Sequence, residues 1–277
     1  MSRRSAAALA VTASIAIVLA AVGGSAALGE RPGPSAHPTI APSFAAVATP
    51  ATGAPILGGP TPTPASSSPY TFDDEFDGTS LSPIWQRDFS CCGDLAGFDP
   101  SLATVANGDL SLSVVQRDDG WYAYLIDTKG RFSQLYGTFE ARIKIPSGDG
   151  LWPAFWGYST DGRQAEIDTM EVCGGGAGAS VLHNSVHWSD RGSASHLTRT
   201  VDLSQDFHVY AVDWQPDHIT FSLDGRALWT FTDTSQIPSV PMPVIFDLGV
   251  GGRFCGPADS TTPNGAQMLV DWVRVLP

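Results

Sequence analysis

The stretch RQAEIDTMEV, Arg163 to Val172, places three carboxylates within six residues: Glu166, Asp168 and Glu171. The residues between and after them, Ile167, Thr169, Met170 and Val172, suit a β-strand. Strand side chains alternate between faces, so Glu166 and Asp168 point the same way. Glu171 stands five positions after Glu166 and by strict alternation points to the other face. In that arrangement the three are ordinary solvent-facing acids. A β-bulge changes the outcome. Thr169 and Met170 supply the extra residue a bulge needs, and Glu171 then returns to the face of its neighbours.

With the bulge, Glu166 and Glu171 lie four strand steps apart in effect, about 13 Å between Cα atoms at about 3.3 Å per step. Side chains leaning together narrow that toward the roughly 5–5.5 Å used by retaining glycosidases. The chemistry needs one carboxylate to attack an anomeric carbon while a second, kept protonated, donates to the leaving oxygen. Asp168, between them, supplies the charge repulsion that keeps a neighbour protonated, or a hydrogen bond to the nucleophile.

Short alternating segments must carry such a strand. DLSLSVV (Asp109–Val115), GTFEARIKI (Gly137–Ile145), HVYAVDW (His208–Trp214) and the final MLVDWVRVL all alternate. ITFSLDGRALWTF reads as two strands joined at Asp224-Gly225, a hairpin signal. No run of ten or more residues has helical apolar spacing. The expected fold is all-β, a two-sheet sandwich.

Of the 277 residues, 43% are hydrophobic, enough for a sizeable core, and the net charge is −13. That charge excludes a nucleic-acid partner and disfavours anionic polysaccharides and membranes, but not neutral sugars. Eight Trp are available as flat sugar-binding surfaces, with core packing the competing use. A monomer is expected. No Gly-rich loop between strand and helix marks a nucleotide site, and no catalytic cofactor is implied.

The N-terminal segment reads as an export signal over residues 1–27: Arg3 and Arg4, an Ala-rich apolar run, then small residues. The secreted, extracellular reading leads; an uncleaved membrane anchor is the alternative. Residues 28–69, rich in Pro, Ala, Ser and Thr, read as a disordered linker, and residues 70–277 as the folded domain. In an exported chain Cys91, Cys92, Cys173 and Cys255 suggest disulfides. The adjacent pair is geometrically awkward to join, so the expectation is one of Cys91 and Cys92 bonded to Cys173 and the other to Cys255.

EIDTME resembles the E-hydrophobic-D-x-x-E signature of glycoside hydrolase family sixteen, in its bacterial laminarinase-like branch. FDDEFDG, YGTFEARIKIPSGDGLWPAFW (Tyr136–Trp156), FHVYAVDWQPDHITFSLDG (Phe207–Gly225) and TPNGAQMLVDWVRV (Thr262–Val275) are similar to further family segments, in the right order. The resemblance implies a β-jelly roll with a concave sugar-binding face and endo-acting, retaining cleavage of β-linked glucans or galactans. It casts Glu166 as nucleophile, Glu171 as acid/base and Asp168 as assisting carboxylate. Trp152, Trp156 and Phe254 match cleft aromatics, Phe254 standing where the family has Trp. His187 matches a cleft histidine, a structural histidine being the competing reading. Glu75, Gly108 (through its carbonyl) and Asp271 match the ligands of a structural Ca²⁺, which oxygen donors suit; plain surface residues are the alternative.

The chain also departs from the pattern. Leu125 stands where the family carries Arg, and Asp247 where it carries Asn, at positions that help bind sugar. The leading expectation is a secreted endo-β-glucanase acting on β-1,3-glucan of the laminarin type. The alternatives are a transglycosylase on the same fold and a lectin-like wall-binding sandwich without turnover.

Overall fold

The computed structural model describes residues 68–86, 97–159, 164–175, 178–188 and 192–277. The export signal, nearly all of the linker, and Cys91 and Cys92 lie outside the described residues. Within them no helix is long and apolar enough to cross a membrane.

Two eight-stranded sheets face one another. The first runs β14 (Arg226–Phe231), β13 (Ile219–Leu223), β12 (His208–Trp214), β7 (Gly137–Lys144), β16 (Gln267–Leu276), β4 (Asp109–Ser113) and β3 (Ala103–Ala106). The short β1 (Phe72–Asp74) also pairs with β16. The second sheet runs β11 (Gly192–Arg199), β10 (Val181–Trp188), β9 (Glu166–Val172), β8 (Leu151–Tyr158), β15 (Ile245–Val250), β6 (Gly120–Asp127) and β2 (Gly97–Phe98). There β5 (Val115–Arg117) pairs with β6. All pairings are antiparallel except β2 with β6. This is the expected two-sheet sandwich.

Alternation builds the core. Leu110 and Leu112 of β4, Ile143 of β7, Tyr210 and Trp214 of β12, and Val273 and Val275 of β16 face inward from the first sheet. From the second come Leu151 and Phe155 of β8, Ile167, Met170 and Val172 of β9, and Phe246 and Leu248 of β15. Phe155 and Phe246 stack with ring centroids 4.9 Å apart. Each fully buried side chain of this size contributes about 1.5–3 kcal/mol, so the core fixes which face of β8, β9 and β15 turns outward. The hairpin signal is realised as well. Asp224 and Gly225 both take positive φ (50° and 74°) between β13 and β14, the conformation of a tight two-residue turn.

The predicted cysteine pairing is corrected. Cys173 bonds to Cys255 across 82 residues, so neither can take Cys91 or Cys92. Cys173 directly follows β9, and Cys255 ends the one-turn helix α1 (Gly252–Cys255) just beyond β15. Because β8 alone separates β9 from β15, the two cysteines leave the sheet side by side.

Candidate active site

The bulge in β9 is present on both of its edges. Against β8, Phe155 pairs with Met170 and Trp156 with Asp168, leaving Thr169 without a partner. Against β10, His183 pairs with Glu171 and Ser185 with Asp168, so Asn184 alone faces the two extra residues. Of the two residues the sequence offered, Thr169 is the inserted one. Thr169 and Met170 are both buried, and the core takes Ile167, Met170 and Val172. Glu166, Asp168 and Glu171 therefore share the outer face.

Asn184 makes the bulge affordable in hydrogen-bond terms. It is fully buried, and its Nδ2 donates to the Thr169 carbonyl at 2.7 Å. A bulge leaves backbone groups unpaired, and a buried unpaired group costs about 1–3 kcal/mol. Sequence reasoning missed this residue. The signal was an Asn in the middle of VLHNSVHW, opposite the odd spacing.

A cleft of about 410 Å³, open to solvent, is lined by Trp152, Ala154, Trp156, Glu166, Asp168, Glu171 and Asp247. Trp152 Nε1 donates to Glu171 Oε1 at 3.0 Å. Trp156 Nε1 donates to Asp247 Oδ1 at 2.8 Å. His187 Nε2 lies 3.0 Å from Asp168 Oδ2 and 3.8 Å from Glu166 Oε1. Phe254, on α1, is 42% exposed and packs against Trp152 (centroids 5.1 Å) and edge-on to His183 (5.0 Å). Every residue the sequence offered for the catalytic and sugar-binding set is thus gathered on one face. Asp247, named beforehand only as a departure at a sugar-binding position, and His183, unassigned, join them: their places in the cleft become legible only when strand order is known.

The electrostatics follow from crowding. Burial raises Glu166 to about 8, helped by the charges of Asp168 and Glu171 and opposed by His187. Burial is also the main cause for Asp168, held far above the ordinary carboxylate range. Glu171 is raised by burial, while the Trp152 hydrogen bond and His187 pull it down. Four acids in one cleft cannot all ionise near neutrality. Glu166 and Asp168 lie side by side on that face, and the charge of Asp168 helps raise Glu166. Asp168 is 3% exposed and the most deeply buried of the three.

Ligand atoms of Glu166, Asp168 and His187 all lie within 4.8 Å of one another, a spacing a cation could bridge. The residues matched to calcium sit on the other sheet. Both carboxylate oxygens of Glu75 accept from Arg274, at 2.9 and 3.1 Å. Asp271 accepts from Arg142 at 2.6 Å. Gly108 forms, with Asn107, the positive-φ turn between β3 and β4. Ca²⁺ takes six to eight oxygen ligands, and here both carboxylates already hold a guanidinium. As arranged, these residues do not fit the ion.

The family model for Glycosyl hydrolases family 16 matches residues 100–274, more than half of the chain. The chain belongs to glycosyl hydrolase family 16. Among curated relatives, the glucan endo-1,3-beta-glucosidase A1 of Niallia circulans is 34% identical, the match covering 54% of this chain and 25% of the relative. The endo-1,3-1,4-beta-glycanase ExsH of Rhizobium meliloti is 30% identical over 62% of this chain and 38% of its own length. The family 16 chain therefore spans well under half of these relatives. Among solved structures, the endo-beta-1,3-glucanase of Pyrococcus furiosus is 28% identical with a TM-score of 0.67, covering 74% of this chain and 93% of that one. The two-sheet architecture is accordingly the jelly roll of this family.

Proposed function

We propose that this family 16 domain is a secreted, endo-acting, retaining β-glycosidase that cleaves β-1,3-linked glucan. The observation carrying the reading is the bulge at Thr169, which sets Glu166, Asp168 and Glu171 on one face of a tryptophan-lined cleft. The names of the similar glucanases support the substrate class, as do the negative net charge and the aromatic cleft, both suited to a neutral sugar chain. The export-signal pattern of residues 1–27 supports secretion.

In this mechanism a Glu166 oxygen attacks the anomeric carbon as the glycosidic C–O bond breaks. The electron pair of that bond goes to the leaving oxygen, which takes the proton from Glu171. Trp152 occupies Glu171 Oε1, so the proton is carried on Oε2. The glycosyl–Glu166 ester removes one negative charge from the cleft, and Glu171 ionises more readily for its second role. It then takes a proton from water, whose oxygen displaces Glu166 with net retention. Asp168, protonated beside Glu166, donates a hydrogen bond that steadies its charge before attack and as it returns.

The test is release of reducing sugar from a panel of β-glucans and galactans. Laminarin-type β-1,3-glucan should be cleaved fastest, at internal bonds. Binding to glucan without any release across the panel would overturn the enzymatic reading.

A further inference from the structure

Asp168 Oδ2 is a buried carboxylate oxygen with no hydrogen-bond partner among the described residues. His187 Nε2 lies 3.0 Å from it, yet the two do not align as a hydrogen bond. Glu166 Oε1 is 3.8 Å from the same nitrogen. A buried polar atom left unpaired costs about 1–3 kcal/mol, and this one belongs to a side chain only 3% exposed. The strands fix the set: Glu166 pairs with His187 across β9 and β10, and Asp168 follows on the same face, opposite Ser185. An imidazole nitrogen and two carboxylate oxygens therefore converge beside the open cleft, and the protein leaves one of the oxygens unclaimed.

We propose that Glu166, Asp168 and His187 form an inhibitory site for a divalent transition-metal ion of the Zn²⁺ type. The inhibitory part rests on the glycosidase reading above; the binding part does not. Zn²⁺ holds nitrogen and oxygen ligands at about 2.0–2.2 Å, so the ligand atoms of a tetrahedral site stand about 3.4 Å apart. The two separations from His187 Nε2, 3.0 and 3.8 Å, bracket that value. Imidazole combined with carboxylate suits Zn²⁺, whereas Ca²⁺ takes six to eight oxygens and Mg²⁺ a near-ideal octahedron. Three protein ligands leave the fourth position to water.

Charge favours occupation. The chain carries a net −13, and Glu171 and Asp247 line the same cleft as Glu166 and Asp168. A dication relieves the repulsion these acids impose on one another. Ligation takes the carboxylates as anions, so the ion displaces the protons they carry. The charge that Glu166 needs for attack on the anomeric carbon is then held by the metal, and the ion fills space the sugar ring must occupy. No covalent bond forms or breaks. The metal-bound enzyme is inactive, and withdrawing the ion restores it.

The experiment titrates zinc chloride into the intact protein by calorimetry and follows cleavage of a soluble β-1,3-glucan over the same range. It compares wild type, His187→Asn, Asp168→Asn and His218→Asn. His218 lies between β12 and β13 with Asp213 and Asp217 on its two ring nitrogens, a second place where Zn²⁺ could find an imidazole and carboxylates. Wild type should bind a single ion, lose activity as the site fills, and recover it on adding EDTA, with Mg²⁺ and Ca²⁺ without effect. His187→Asn and Asp168→Asn should each weaken Zn²⁺ binding at least about tenfold, while His218→Asn keeps wild-type binding and inhibition. No binding to wild type, binding unchanged in both cleft variants, or binding lost in His218→Asn overturns the proposal. Binding at the cleft without loss of cleavage overturns the inhibitory role. A wild type that binds the ion as expected yet cleaves no β-glucan supports the site and overturns the glycosidase reading instead.

Discussion

Trp152 and Glu171 are joined by an indole-to-carboxyl hydrogen bond of 3.0 Å between adjacent strands. One oxygen of the proposed acid/base is thereby committed before substrate arrives. The bond favours the ionised carboxylate and so offsets part of the burial that raises Glu171. Trp152→Phe removes the donor and keeps an aromatic ring against Phe254. The proton affinity of Glu171 then rises, so the alkaline limb of kcat/KM should move to higher pH, with the rate at the optimum reduced by about tenfold to a hundredfold. Full pH–rate profiles of both forms check this; a limb that stays put, or moves down, contradicts the assigned effect of the bond.

Stability should carry the same signature. Glu166, Asp168, Glu171 and Asp247 all hold protons more tightly in the folded chain than in the unfolded one. Where the folded state binds more protons, stability falls as pH rises. The loss begins at the ordinary carboxylate range and continues until the folded groups ionise. Asp168→Asn removes the most deeply buried of these acids. Measured by thermal unfolding, wild type should lose stability relative to this variant as pH rises above about 4, by about 1.4 kcal/mol per pH unit at most. Parallel curves for the two proteins would count against the raised proton affinity of Asp168.

The bulge makes a sharper demand. Deleting Thr169, which has no partner on β8, leaves Asp168, Met170 and Glu171 in simple alternation with Glu171 still facing the cleft. Deleting both Thr169 and Met170 turns Glu171 toward the core. The single deletion should keep retaining cleavage at a reduced rate, and the double deletion should be inactive. Rates and product anomers by NMR distinguish them. A folded single-deletion protein as inactive as the double would remove the bulge as the reason for the spacing.

How far these features were legible beforehand follows from where their causes lie. The alternation of DLSLS, of HVYAVDW and of the last strand is local, and those strands stand where the pattern puts them. Asp224-Gly225 is likewise a local signal. The odd interval before Glu171 pointed to a bulge, but naming Thr169 as the inserted residue takes the register of β8. Cys173 and Cys255 meet because β9 and β15 flank β8, which 82 residues of intervening sequence do not disclose. Arg142 and Arg274 reach Asp271 and Glu75 through the same kind of cross-strand geometry. Local periodicity carries faces; strand order carries partners.

The disulfide deserves a test of its own because of its neighbours. Cys173 lies two residues past Glu171, and Cys255 follows Phe254, which packs on Trp152. Replacing both cysteines by Ala should cost about 2–4 kcal/mol of stability. It should also raise KM more than it lowers kcat, because the Phe254 side of the cleft loses its tether while Glu166 keeps its place. Denaturant unfolding and steady-state kinetics read the two effects separately. A variant with unchanged KM would mean that α1 is held without the bond.

The central claim is that Glu166 forms a covalent bond to the sugar. The direct measurement uses a 2-deoxy-2-fluoro β-1,3-glucosyl oligosaccharide with an activated leaving group, which slows breakdown of the glycosyl-enzyme more than it hinders trapping. After incubation with the intact protein and proteolysis, peptide mass mapping locates the adduct. The account predicts a single added glycosyl mass on Glu166, absent from Glu166→Gln. An adduct on Glu171 or Asp168, or an adduct that persists in Glu166→Gln, would contradict it.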